Sequence, residues 1–150
     1  MTSRVLIIDD EPANTMLLEA MLADEPDLEV RSINDSQLAE REFTDFEPDI
    51  VLLDLHMPKP DGIEILTRLR GPRAALGFVP VVVLTADTTR KARNSALVLG
   101  ADDFLTKPLD RDEVQLRVRN LLHTRRLYTE LASAKEALER RDTGHEPGAS

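Results

Sequence analysis

Ile50-Val51-Leu52-Leu53-Asp54-Leu55-His56-Met57-Pro58 decides how this chain is read. Four consecutive apolar residues run into one aspartate. So short an apolar run, with two β-branched members, predicts a strand buried on both faces. Burying each such side chain is worth roughly 1.5–3 kcal/mol before entropy is subtracted. The run places Asp54 at the carboxyl end of a central strand, at an edge expected to face solvent. In open α/β sheets that edge is where ligands bind. Pro58, Pro60 and Gly62 turn the chain away at once. Taken alone, Asp54 reads equally as a site residue or as a strand-terminating cap.

The same pattern recurs on either side. Arg4-Val5-Leu6-Ile7-Ile8 is a second apolar run, ending in Asp9-Asp10-Glu11. Pro12 suits the first turn of a helix, where its missing N–H costs nothing. Met16, Leu17, Leu18, Met21 and Leu22 give that helix its stripe, and Pro26 closes it. Leu28-Glu29-Val30-Arg31-Ser32-Ile33 alternates, as a half-buried strand should. Asp35 or Ser36 can cap a second helix carrying Leu38, Ala39, Phe43 and Phe46. Gly62 opens a third helix through Leu69, which Gly71-Pro72 is expected to end, leaving 71–78 as loop. Val79 to Leu84 is the next strand and stops at Thr85-Ala86. A helix over about 88–99 ends at Gly100, a good residue for the left-handed turn after a helix. Residues 102–106 form a short fifth strand before Lys107-Pro108. A last helix starts near Asp110 and meets no breaker until Gly144. Five strands alternating with five helices predict a parallel sheet covered on both faces.

Composition narrows the function classes. The chain has 19 basic and 28 acidic residues, a net charge of −9, which argues against non-specific binding of nucleic acid or anionic membranes. Residues 111–141 differ from that acidic body, with eight Arg or Lys against five Asp or Glu. Having no cysteine, the chain cannot form disulfides or a zinc–cysteine site. His56, His123 and His145 lie too far apart for a ligand spacing. The opening residues lead straight into a strand, with no signal peptide pattern, and no apolar run approaches the ~20 residues of a membrane span. A cytoplasmic protein without a membrane segment is expected.

Four strand ends now carry polar groups. Asp9 and Asp10 follow the first strand, Asp54 the third, Thr85 the fourth and Lys107 the fifth. Each should project from the same sheet edge. Clustered carboxylates repel unless a cation sits among them, and hard oxygen donors suit Mg²⁺. Lys107 adds a mobile positive charge and Thr85 a hydroxyl donor. A carboxylate nucleophile in such surroundings suits phosphoryl transfer, in which positioning and charge neutralisation dominate.

Over about residues 3–123 the chain resembles the receiver domain of two-component response regulators. The resemblance rests on Leu6-Ile7-Ile8-Asp9-Asp10-Glu11, Leu53-Asp54-Leu55-His56-Met57-Pro58 with Gly62, Leu84-Thr85-Ala86, and Gly100-Ala101-Asp102-Asp103-Phe104-Leu105-Thr106-Lys107-Pro108. It implies a doubly wound five-stranded parallel sheet of the flavodoxin-like kind, order 2-1-3-4-5. It also implies that Asp54 is the phosphoacceptor. Asp10, Asp54 and the backbone carbonyl of His56 would ligate Mg²⁺ directly, with Asp9 acting mostly through water. Thr85 and Lys107 would hold the phosphoryl oxygens. The Lys107–Pro108 bond would be cis. Phe104 stands at the switch position, and without a hydroxyl it must act through packing. The donor would be a sensor histidine kinase or a histidine phosphotransfer protein. Catalysis would be limited to self-catalysed phosphotransfer and dephosphorylation. The rival readings are a phosphate-independent interaction module and an Asp-nucleophile phosphohydrolase. The latter usually needs a second acid two residues on, where this chain has His56.

Beyond the domain, Leu127, Leu131, Ala134 and Leu138 repeat at heptad spacing and predict a homodimer or docking seam. The expected organisation is a receiver over 1–123, a helical coiled-coil-like extension over 124–141 and a disordered tail over 142–150. Lys91, Asp102, Asp103 and Arg117 are candidate charges on the receiver surface that would assist dimerisation. No nucleic-acid binding through this chain is expected. The chain reads as a stand-alone receiver or as the regulatory front of a longer protein, such as a cyclic-di-GMP enzyme.

Overall fold

The computed structural model describes residues 2–87 and 89–144. Strands β1 (Ser3–Ile8), β2 (Leu28–Ile33), β3 (Ile50–Asp54), β4 (Val81–Thr85) and β5 (Asp103–Thr106) form one parallel sheet in the order β2-β1-β3-β4-β5. Helices α1 (Pro12–Leu22) and α6 (Arg111–Gly144) cover one face. Helices α2 (Ala39–Phe46), α3 (Gly62–Arg68), α4 (Arg70–Ala75) and α5 (Arg90–Val98) cover the other.

Alternation of side chains along each strand divides the core in two. Leu6, Ile8, Val51, Leu53, Val81 and Val83 pack with Phe43, Leu66 and Phe104. Val5, Ile7, Leu52, Val82 and Leu84 pack with Leu18, Leu22, Val114 and Val118. β3 and β4 are buried throughout, whereas β2 alternates because it lies at the sheet edge.

Local chemistry sets the boundaries. Pro12 opens α1, and the Asp35 carboxylate accepts from Gln37 N–H to start a 3₁₀ turn over Ser36–Leu38. Thr89 caps α5 through Ala92 N–H, and Gly100 takes the positive φ that ends it. Pro80, having no N–H, only leads into β4 and offers its carbonyl to Val51 N–H.

The expected loop over 71–78 is a correction. Pro72 does not end the third helix; it sits in the first turn of α4, where an N–H is dispensable. The break falls at Leu69, and Arg73 N–H bonds the Leu69 carbonyl across it. The chain thus carries six helices among the described residues, not five. α6 runs through Asp142 to Gly144, so the first residues of the expected disordered tail are helical. The rest of that tail, His145 included, lies outside the described residues.

Candidate functional site

Because the strands are parallel and in register, their carboxyl ends finish together. Ile8 is level with Leu53, Asp54 with Leu84, and Thr85 with Thr106. The next polar residue on each strand therefore enters one pocket. One ligand atom each from Asp9, Asp10 and Asp54 falls within 4.8 Å of the others. Lys107 Nζ lies 3.3 Å from Asp54 Oδ1 and 3.8 Å from Asp9 Oδ2. The Lys107–Pro108 and Lys59–Pro60 peptides are both cis.

Asp54 does not face open solvent as its strand-end position suggested. It is 2 % exposed, because the loop after β3 folds back over it. His56 N–H donates to Asp54 Oδ1 at 3.2 Å. Gly62 makes that fold-back possible: its N–H bonds the Leu55 carbonyl. A Cβ at Gly62 would overlap the Asp54 carbonyl and stand 2.5 Å from Leu55 Cα.

Asp9 is the most enclosed of the acids, with no exposure. Its Oδ1 accepts Glu11 N–H at 3.0 Å, while Oδ2 is buried without a hydrogen-bond partner. Desolvation pushes the Asp9 carboxyl above its ordinary range. The Glu11 N–H opposes this, the neighbouring Asp54 charge adds to it, and Lys107 and Asn14 oppose it in turn. A buried carboxylate oxygen lacking a donor, beside two further carboxylates, is an arrangement that a small hard cation completes. The donor set is all oxygen, which suits Mg²⁺ and not a thiolate-seeking metal.

Thr85 is fully buried, and its hydroxyl is already engaged. Asp87 N–H donates to Oγ1 at 3.0 Å, and His56 Nε2 stands 2.9 Å from the same oxygen. The sequence pointed only to the His56 backbone carbonyl, and gave no sign of this role for its ring. The residue is exposed overall, yet its ring reaches Thr85 across 29 residues of sequence. Asn34 is the other unforeseen contributor. Its amide donates to the Asp9 carbonyl at 2.9 Å and to Thr15 Oγ1 at 3.2 Å, tying the end of β1 to α1. A lone asparagine after β2 was the only sequence signal for it.

The remaining predicted residues lie elsewhere. Phe104 is 8 % exposed, packed in the core beneath α5, with the Arg93 guanidinium 5.1 Å above its ring. Asp102 is an exposed charge just before β5, and within the chain it accepts from Arg73 at 2.9 Å and from Val81 N–H at 2.7 Å. Arg117 pairs with Asp103 at 3.5 Å within the chain. Leu127, Leu131, Ala134 and Leu138 are all exposed on the part of α6 that extends past the sheet.

Comparison with known proteins agrees with this geometry. A family model, response regulator receiver domain, matches residues 5–119. The transcriptional regulatory protein TrcR of Mycobacterium tuberculosis is 41% identical over 120 residues, covering 79% of this chain and 45% of TrcR. The response regulator PleD of Caulobacter vibrioides is 39% identical over 141 residues, covering 94% of this chain and 30% of PleD. Among solved structures, NtrX from Brucella abortus superposes with a TM-score of 0.79 at 28% identity, over 90% of this chain and 30% of that one. The chain thus spans less than half the length of each of these relatives. No helix among the described residues is long and apolar enough to cross a membrane. With the matched family model spanning the five strands and the acidic pocket at their ends, this chain belongs to the response regulator receiver domain family.

Proposed function

We propose that the chain accepts a phosphoryl group on Asp54 from a phosphohistidine of a sensor histidine kinase or phosphotransfer protein. The observation that carries this reading is Asp54 itself. It is a buried strand-end carboxylate, oriented by His56 N–H, with Lys107 Nζ at 3.3 Å and a second acid, Asp9, holding an unpartnered oxygen beside it. In the transfer an Asp54 oxygen bonds phosphorus and the donor's P–N bond breaks, its electron pair leaving on the imidazole nitrogen. Asp9, Asp10, Asp54 and the His56 carbonyl would hold Mg²⁺, which when bound offsets the charge crowded between carboxylates and phosphoryl oxygens. Lys107 is near enough to pair with a phosphoryl oxygen once Asp54 is modified, and the Thr85 hydroxyl can donate to another after leaving His56.

Modification replaces one carboxylate charge with roughly −1.5 to −2 charge units, by analogy with phosphorylated hydroxyls. Drawing Thr85 toward the site pulls on the end of β4, the strand whose Val83 pairs with Phe104 of β5. The surface of α5, β5 and α6 is then the part that changes, and with it the contact with partners or a second copy. Mass spectrometry after treatment with acetyl phosphate and Mg²⁺ tests the reading. One phosphoryl adduct is expected on the wild type and none on Asp54→Asn. An adduct persisting on that variant would move the acceptor elsewhere, and continuous turnover of donor would point to a hydrolase.

A further inference from the structure

Helix α6 has two lives along its length. Val114, Val118 and Leu122 are buried in the core. Arg125 then clamps the helix to the domain, its Nε bonding Asp49 Oδ1 at 2.8 Å and its Nη1 the Phe78 carbonyl at 2.5 Å. Tyr128 rests on Phe78 with ring centroids 4.7 Å apart. From residue 129 to residue 142 every position is exposed.

The apolar seam starts where the domain lets go. At 3.6 residues per turn, Leu127, Leu131, Ala134 and Leu138 centre about 160° around the helix from Val114, Val118, Leu122 and Arg125. The seam therefore points away from its own domain, and a partner on it meets no obstruction. Leu131 is 68 % exposed and Leu138 61 %. The heptad positions preceding the seam are Glu113, Arg117, Asn120 and Thr124, all polar, so nothing apolar continues it back along the domain.

With Leu131 and Leu138 at a and Leu127 and Ala134 at d, Glu130 falls at g and Lys135 at the following e. In a parallel two-stranded coil, each g residue faces the e residue five positions later in the other chain. Glu130 and Lys135 are thus complementary across the seam, twice by symmetry. In an antiparallel pair g positions face g positions and e positions face e positions, and this match is lost.

We propose that α6 beyond the domain pairs with a second copy of this chain as a parallel, in-register coiled coil, with Glu130 of each copy facing Lys135 of the other. This rests on the reading of the tail as a self-association surface and not on the chemistry of Asp54. The seam is only about three helical turns long, so association is weak and concentration-dependent. The two receiver bodies sit on the outside of the coil, held apart.

Because the chain has no cysteine, a single one reports on geometry without interference. A disulfide needs the two Cα atoms within about 7 Å. Ala134→Cys places them so only in the parallel, in-register pair. Glu136→Cys, on the outer face, does not. Both positions are exposed, so neither change disturbs the domain. Under mild oxidation of the full chain, Ala134→Cys is expected to give about tenfold more covalent dimer than Glu136→Cys. Mixing Glu130→Lys with Lys135→Glu should give more dimer by sedimentation than either alone. Equal cross-linking at both positions overturns the proposal. So does a wild-type dimer that leaves Ala134→Cys unlinked or survives Leu131→Asp, which would place the interface on the receiver bodies in another arrangement. A chain that stays monomeric at all concentrations overturns the self-association reading itself. The Asp54 adduct, measured on the same samples, reports on the phosphoacceptor reading separately.

Discussion

Two of the molecule's carboxylate–cation groups are built differently. At the carboxyl edge of the sheet, Asp9 and Asp54 share Lys107, which stands 3.8 and 3.3 Å away. At the opposite edge, Asp102 meets Arg73 at 2.9 Å. Arg73 also donates to the Val79 carbonyl at 3.0 Å and the Gly100 carbonyl at 3.1 Å, and Val81 N–H completes Asp102 at 2.7 Å. In both places burial raises an aspartate above its ordinary range, and desolvation is the largest cause in each. Only the first leaves a buried oxygen without a donor and sets a second acid close beside it. A finished network joins parts of a fold; an unfinished one is an offer to a ligand. The Arg73 clasp ties α4 to the turn after α5, and Arg70 adds a bond to the Leu99 carbonyl at 2.9 Å.

The largest expected effect falls on the clasp. Arg73→Ala leaves Asp102 part-buried with no cation and strips two carbonyls of their donor. Breaking such a pair should cost about 2–3 kcal/mol, less than a fully buried one because both side chains keep some solvent. Denaturant unfolding would measure this. At temperatures where the variant is folded, adduct formation on Asp54 should be unchanged. A clasp variant that folds normally but loses the adduct would erase the distinction between the two regions.

Asp9→Asn should act in the opposite sense. It removes a buried, half-partnered charge, so metal-free protein is expected to gain about 1 kcal/mol. The same change removes a hard ligand. The stabilisation of the wild type by added Mg²⁺ should therefore be largely lost in the variant. Thermal melts with and without Mg²⁺ would read both. An Asp9→Asn protein less stable than the wild type without metal would show the pocket to be as complete as the clasp.

This contrast explains what could be read in the sequence. The runs Val5–Ile8, Ile50–Leu53 and Val81–Leu84 were legible as strands because a strand buried on both faces tolerates little but apolar residues. Asp9, Asp54, Thr85 and Lys107 were legible because each ends or follows such a run, and parallel register brings the ends together. The clasp was not legible. Arg73 lies in α4, which Gly71 and Pro72 disguise as a loop, and Asp102 looks like any charge at a strand start. The His56–Thr85 contact was hidden for another reason: it depends on one rotamer reaching across two loops.

A smaller effect is expected from that contact. His56→Phe keeps the ring's bulk and the backbone N–H that orients Asp54, but releases the Thr85 hydroxyl. One neutral hydrogen bond of about 0.5–1 kcal/mol corresponds to a rise in adduct formation of roughly threefold. Acetyl phosphate should serve as donor, so that no kinase contact is disturbed. If His56 works through Thr85, the substitution should have no effect in a Thr85→Ala background. An equal change in both backgrounds would assign His56 a role independent of that hydroxyl.

The smallest expected effect is a pH dependence, and it tests whether the clasp is as complete as its bond lengths suggest. Burial raises the Asp102 carboxyl, while Val81 N–H and Arg73 pull it back and Asp103 adds a little to the rise. A carboxyl whose folded pKa is raised binds its proton more tightly in the folded state than in the unfolded chain. Its contribution to stability is complete below the ordinary aspartate range and is lost as pH rises through the folded value. Asp102→Asn is neutral at every pH and still offers an oxygen to Val81 N–H. At strongly acidic pH the two proteins should therefore be nearly equal in stability. As pH rises from the ordinary aspartate range through the raised value, the variant should improve relative to the wild type. Unfolding titrations of both proteins across the acid range measure the difference directly. A variant that instead falls behind as pH rises would mean that Arg73 outweighs desolvation. Asp102 would then be held below its ordinary range, and Asp9 and Asp102 would differ in the sign of their shift as well as in their partners.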